Sequence, residues 1–350
     1  MFALDREMSL YGYKARYEGL YSILYYLSLT LLSTQVTDKY KKALINSLLI
    51  CGSFSGIYAI FQAYDLFNVN PFKTISYDET IQATVLENIR WVRGFTINPN
   101  FFGSYIVLML SYSIGLFLDS KKIYKKIIYG FFVLLFGFDL LICNTSSAVV
   151  GMIVVIAFCL VYIIKNKKLK KSLILALIVI VVTGFAVAKG RTDIVKDMGQ
   201  IGREAVEILK GHVDSSYGTS RIYIWQNAIK VVPKFLLHGA GIDCFPKAFD
   251  GHALTAGLLG NGLVMYDKAH NEYLQILVTQ GIFALISYLL LYGYSVYRGF
   301  KRSFKYKEVY LVLPILGYLV QAFFNISVIE VAPIFFMALG LCCGRIDEEE

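Results

Sequence analysis

Residues 268–281 read KAHNEYLQILVTQG, and His270 is one of only four histidines among 350 residues. It stands where a polar stretch turns into a long apolar run, with Asn271 and Glu272 directly after it. A neutral imidazole placed there can take a proton from a hydroxyl, which is general-base chemistry. A helix starting at this point presents its positive end, which disfavours imidazolium and helps keep the ring neutral. Asp267 and Glu272 pull the other way and offer an alternative, orienting the ring. The plain alternative is an interfacial histidine with its hydrogen bonds satisfied.

Arginines supply a second chemistry. Arg90 and Arg93 precede one apolar run, Arg191 and Arg203 lie in a long polar segment, and Arg221 opens a helical pattern beside Trp225. A guanidinium is always charged and grips phosphate oxygens as a bidentate fork. In the first turn of its helix, Arg221 also stands among backbone N–H groups that favour an anion. Each of these arginines has a blander reading as a solvated or interfacial side chain. His212, His238 and His252 are too irregularly spaced to join His270 around a metal, so neither metal nor cofactor is expected. Asp139 and Glu330 are costly at membrane depth and therefore candidates for function, although helix-end snorkelling or an interhelical hydrogen bond explains each equally well. No phosphate-binding G-x-x-x-x-G-K-[ST], G-x-S-x-G or H-E-x-x-H occurs.

The elements that must position these groups are membrane helices. The chain is 57% hydrophobic and only 17% charged, against about 25% charged in soluble domains. Apolar runs long enough to cross a hydrocarbon core of about 30 Å recur. They predict an all-α polytopic bundle with about nine spans, near 18–35, 43–66, 100–118, 126–143, 147–164, 172–188, 271–296, 309–328 and a short 331–344. The net charge of +9 does not point to nucleic acid. Its lysines and arginines cluster at Lys39 to Lys42, Lys121 to Lys126, Lys165 to Lys171 and Arg298 to Lys307, in connections between spans, as cytoplasmic loops require. Residues 67–99, the large loop 189–269 and the N-terminus then face outward.

With an odd span count and an outward, uncleaved N-terminus, the expectation is a fragment, or a start site placed late, that lacks one or more N-terminal helices. Three regions follow: helices of 1–188, the extracytoplasmic loop 189–269, and helices of 270–350. Within the loop, Ile194, Met198, Ile201, Ala205 and Ile208 predict an amphipathic surface helix. Ser220 is placed to cap a second helix with Ile224, Ala228 and Val232 on one side, bent or interrupted at Pro233. Gly52 and Gly56 form a G-x-x-x-G, which predicts close helix packing. The six scattered cysteines give no disulfide framework.

Three stretches in order resemble the O-antigen ligase and polymerase superfamily: RWVRGFTINPNFFG (90–103), TSRIYIWQNAIKVVPKFLLHGAGIDCF (219–245) and AHNEYLQILVTQGIFAL (269–285). The family pattern is R-x-x-x-W, a G-x-G turn, then His-Asn and a glycine about ten residues on. Here these are Arg221 and Trp225, Gly239 and Gly241, His270 and Asn271, and Gly281. The opening SLYGYKARYEGL also looks like an outer loop of these proteins. The resemblance implies a metal-independent, membrane-embedded glycosyltransferase. Its partners would be a glycan on undecaprenyl diphosphate as donor, a glycolipid, wall polymer or protein as acceptor, and the lipid bilayer.

The same resemblance implies that Arg221 holds the diphosphate and His270 activates the acceptor hydroxyl, with Asn271 and Trp225 beside them. It further implies a bacterial cytoplasmic-membrane location with the active face outward. The family often carries an arginine where this chain has Ser147 and Ala148 in NTSSAVVG. Either Arg93, Arg191 or Arg203 replaces it at the donor, or donor handling differs; Arg90 is a further substrate-binding candidate. Ligase, repeat-unit polymerase and protein O-oligosaccharyltransferase are not separated by these motifs. A lipid-glycan flippase, kept open by Asp139, would need broken helices and an inverted repeat. A non-catalytic relative is the remaining alternative.

Overall fold

The apolar runs become helices packed around one central helix. The computed structural model describes residues 3–14, 16–69, 74–78, 83–87, 92–166, 221–248 and 267–345, with Arg203, Val206, Glu207, Lys210 and Asp214. The first half holds α1 (Arg6–Tyr11), α2 (Leu20–Thr34), α3 (Asp38–Tyr64), α4 (Pro99–Asp119), α5 (Ile123–Ile142) and α6 (Ser146–Lys165). The second half holds α7 (Arg221–Phe235), α8 (Phe245–Ala248), α9 (Glu272–Gln280), α10 (Ile282–Tyr306), α11 (Leu313–Ala322) and α12 (Ala332–Cys343).

One element departs from the all-α expectation. In the segment expected as an outer loop, β1 (Thr74–Asp78) and β2 (Ala83–Glu87) pair antiparallel, with Ser76 opposite Val85. TISYD and ATVLE are rich in β-branched and aromatic residues, a strand composition that a search for long apolar runs passes over.

Helix α4 is the axis. Asn98 caps it, accepting from the Asn100 amide at 2.8 Å, and Pro99 sets the first helical dihedral. Phe102, Ile106, Val107 and Tyr112 are fully buried, and α3, α5, α6 and α11 all pack on this helix. The G-x-x-x-G of α3 allows close approach as expected. A Cβ on Gly52 would lie 2.6 Å from the Tyr105 hydroxyl of α4, and one on Gly56 would run into the Asp139 carboxyl of α5. Asp139 is fully buried, and neither of its carboxyl oxygens makes a hydrogen bond among the described residues.

Among the described residues, three helices are long and apolar enough to cross a membrane: Asp38–Tyr64, Pro99–Asp119 and Ser146–Lys165. They coincide with the runs predicted at 43–66, 100–118 and 147–164. The run at 126–143 is the 20-residue α5, interrupted in polarity by Lys125, Lys126 and Asp139. Helices α2, α11 and α12 are shorter, and the predicted span 172–188 lies outside the described residues. The expected span 271–296 is broken at Gly281, which has φ 85°, into α9 and α10.

At one end of α12 the bundle is tied by a buried charge cluster. Arg302 reaches Asp38 at 2.9 Å and Glu308 at 2.7 Å, and Lys41 reaches Asp38 at 2.6 Å. Each charge is paired, as full burial demands. At the other end, residues 3–17 fold onto the 240–270 region. Leu4 N donates to Ala240 O at 2.8 Å, and Tyr13 N donates to Asp243 Oδ2 at 2.6 Å. A second core of Ile224, Ala228, Phe235, Phe245, Ala269 and Val278 forms there.

Candidate active site

His270 sits on a backbone held from both sides. Asn271 caps α9, its Oδ1 accepting from the Leu274 amide at 3.0 Å. Just upstream, the Trp225 indole donates to Ala269 O at 3.0 Å, and Ala269 N donates to Gln275 Oε1 at 2.9 Å. Lys268 is buried against Asp243, and Arg16 Nε donates to Asp267 Oδ2 at 2.7 Å. Between these ties His270 takes φ 49°, a left-handed conformation that Asn, Asp and His tolerate better than most residues. The backbone that carries the ring is therefore held by its surroundings before any substrate arrives.

The charge environment keeps that ring neutral. Burial is the largest cause lowering the His270 pKa from its ordinary 6.5 to about 4, and the Arg221 guanidinium is next. Arg16 and Lys268 push the same way, while Asp267 opposes them. Glu272, the other carboxylate considered for orienting the ring, is turned into the bundle. It accepts from the Tyr292 and Tyr318 hydroxyls at 3.2 and 3.3 Å.

Arg221 opens α7, as its sequence context predicts, and burial lowers its own pKa. Ile224 and Ala228 face the second core as expected, and Val232 packs at its edge. Pro233 falls in the last turn, and the helix continues past it to Phe235. Ser220 lies outside the described residues.

The G-x-G turn and Gly281 serve each other. Ala240 N and Gly241 N donate to the carbonyls of Val278 and Thr279, both at 2.9 Å, and Ile282 N donates to Leu236 O at 2.7 Å. Gly239 has φ 71°, and a Cβ there would run into the Thr279 carbonyl. The glycines thus dock the turn on the broken end of α9, which fixes the helix whose start carries His270. Gly239→Ala is expected to destabilise this region by about 1–3 kcal/mol or more, from the left-handed backbone alone. A melting curve in detergent reads this as a lowered midpoint. Gly293→Ala, where nothing lies within 4 Å of a new Cβ, is the control and should leave the midpoint in place.

The structure brings Arg221, Trp225, His270 and Asn271 to one junction. Arg93 belongs to a neighbouring turn, its backbone amide donating to Gln62 Oε1 at 3.0 Å and its Nη1 to Ile97 O at 3.4 Å. That turn meets Glu330, which accepts from Ile97 N at 3.2 Å. Arg203 is an exposed helical residue. Arg90, Arg191, His212, His252 and the predicted surface helix over 194–208 lie outside the described residues, apart from Arg203, Val206 and Glu207. His238 is exposed, its ring against its neighbour's carbonyl at Gly239 O, 2.7 Å away.

Among the described residues no group of three or more His, Cys, Asp and Glu is arranged to hold a metal. Arg16, Lys268 and Gln275 were missed. An apolar groove of about 260 Å³, lined by Trp225, Ile229, Asn271, Tyr273, Leu277 and Phe323, opens beside the junction.

Residues 131–289, a little under half of the chain, match the family model described as O-antigen ligase. No curated protein matches the chain. With its apolar helices, the match supports a membrane enzyme of the O-antigen ligase and polymerase family, in keeping with a bacterial inner membrane.

Proposed function

We propose that this chain, as an O-antigen ligase-like protein, transfers a glycan from undecaprenyl diphosphate to an acceptor hydroxyl at the outer face of the membrane. The observation that carries the reading is a half-buried histidine at a capped helix start, with the Arg221 guanidinium close enough to help hold its pKa down. In the transfer, the acceptor oxygen attacks the anomeric carbon while an imidazole nitrogen of His270 takes the hydroxyl proton. The bond from that carbon to the diphosphate oxygen breaks, and undecaprenyl diphosphate leaves with the bonding electrons. Arg221 stabilises the charge that builds on the leaving group, an interaction that strengthens along the reaction and so accelerates it.

The donor also prepares the base. A pKa of about 4 makes free His270 a weak base at neutral pH. Diphosphate bound at Arg221 offsets the positive field on the ring and raises that pKa toward the working pH, where a general base is most effective. The apolar groove beside Asn271 and Trp225 suits the lipid tail of such a donor. Acceptors compatible with this chemistry are a glycolipid, a wall polymer or a protein hydroxyl.

A gel of lipid-linked and surface glycans from the host, with the gene intact or deleted, tests the reaction class. Ligation predicts long glycans accumulating on undecaprenyl diphosphate while the surface goes bare. Single repeat units reaching the surface without long chains would assign polymerisation instead. An unaltered profile would reject both.

A further inference from the structure

The Arg16 guanidinium is held on two of its sides and open on the third. Its Nε is taken by Asp267 at 2.7 Å, and its face lies over the Phe101 ring at 5.1 Å to the centroid. Its terminal nitrogens, Nη1 and Nη2, make no hydrogen bond or ion pair among the described residues. The side chain keeps 19% exposure, so that edge remains within reach of a ligand. Asp267 stands three residues before His270, so the guanidinium is tied to the stretch of chain that carries the ring.

The pairing with Asp267 is not a sufficient reason for this arrangement. An ion pair at about 20% exposure contributes modestly, on the order of 1 kcal/mol or less, and a lysine would serve it equally. A planar fork that spends Nε on an internal carboxylate and rests its face on an aromatic ring has its two terminal N–H groups aligned in one direction. That geometry matches two oxygens of one anion. An anion on this fork would lie close to His270, because Arg16 is bonded to Asp267 three residues before it and acts electrostatically on the ring. Lys268 is occupied by Asp243 in the buried core, so it contributes field and not a ligand contact.

We infer that Arg16 binds the diphosphate of the lipid-linked donor through its Nη1 and Nη2 edge, as a second arginine alongside Arg221. This rests on the reading of the chain as a transferase using such a donor. The segment carrying Arg16 is clamped to the site by Tyr13–Asp243 and Leu4–Ala240, so the guanidinium is delivered by a rigid element. Asp267 and Phe101 then position the fork, and do not touch the substrate.

The test uses the full chain in nanodiscs, with the affinity for added undecaprenyl diphosphate compared with that for uncharged undecaprenol. The wild type should prefer the diphosphate. Arg16→Gln should lose at least tenfold of that preference, about 1.4 kcal/mol, with affinity for undecaprenol unchanged. Arg16→Lys, which keeps charge and the Asp267 partner, should lose an intermediate part because a point charge replaces the fork.

Asp267→Asn separates binding from scaffolding. If Arg16 only braces Asp267, Asp267→Asn and Arg16→Gln should behave alike. If Arg16 is a ligand, Asp267→Asn should retain or increase the preference for diphosphate. A wild-type preference that survives intact in Arg16→Gln overturns the inference and leaves the transferase reading standing. No preference in the wild type overturns both.

Discussion

Replacing His270 is expected to slow glycan transfer about 10²- to 10⁴-fold, the usual contribution of a positioned general base. His270→Asn is the more informative variant than His270→Ala. The backbone at φ 49° suits asparagine but strains alanine, so a loss in His270→Asn reports chemistry and not a disturbed turn. The pH profile adds a second check. The base must be unprotonated, so activity falls as pH drops through its pKa. The profile of kcat/KM, which reports the free enzyme, should turn down near pH 4, where burial and Arg221 hold the ring. The profile of kcat reports the donor complex, in which bound diphosphate favours imidazolium. Its acid limb should therefore lie at higher pH than that of kcat/KM. Coincident limbs, or a limb near 6.5 in the free enzyme, would contradict the proposed coupling.

Arg221→Lys should lower transfer by about 10²- to 10³-fold, the scale for losing an oriented donor to developing charge. Charge is retained in this variant, so the loss measures the bidentate fork. The acid limb of kcat/KM should stay where it is. Arg221→Gln removes fork and field together, so the rate should fall at least as far. The free-enzyme limb should also move up from about pH 4, because the second-largest cause holding His270 down is gone. Equal rates in wild type and Arg221→Lys would reduce the guanidinium to a background charge.

What the sequence could reveal followed from distance along the chain. Helices α3, α4 and α6 are legible because their burial is recorded in uninterrupted apolar runs, and Arg221 and His270 are legible because each stands at the start of such a pattern. The break at Gly281 is not, since one glycine in an apolar run is compatible with a continuous helix. It is the turn at 239–241, some forty residues earlier, that docks on the carbonyls of Val278 and Thr279 and ends α9. Asn271 reads in the sequence as a substrate residue, yet its Oδ1 is spent on the Leu274 amide. Arg16 escaped because its partner Asp267 is 251 positions away, and nothing local to SLYGYKARYEGL announces that pairing. The hairpin at 74–87 escaped for the opposite reason, being too short to stand out against long apolar helices.

The central claim is that His270 removes the acceptor proton once the donor diphosphate is bound. It is tested most directly by single-turnover transfer with the purified full chain in nanodiscs, supplied with undecaprenyl-diphosphate-linked glycan and a hydroxyl acceptor. The account predicts that His270→Asn binds the donor as the wild type does but transfers glycan at least about 10²-fold more slowly. Transfer by His270→Asn at the wild-type rate, with the donor bound normally, would contradict it.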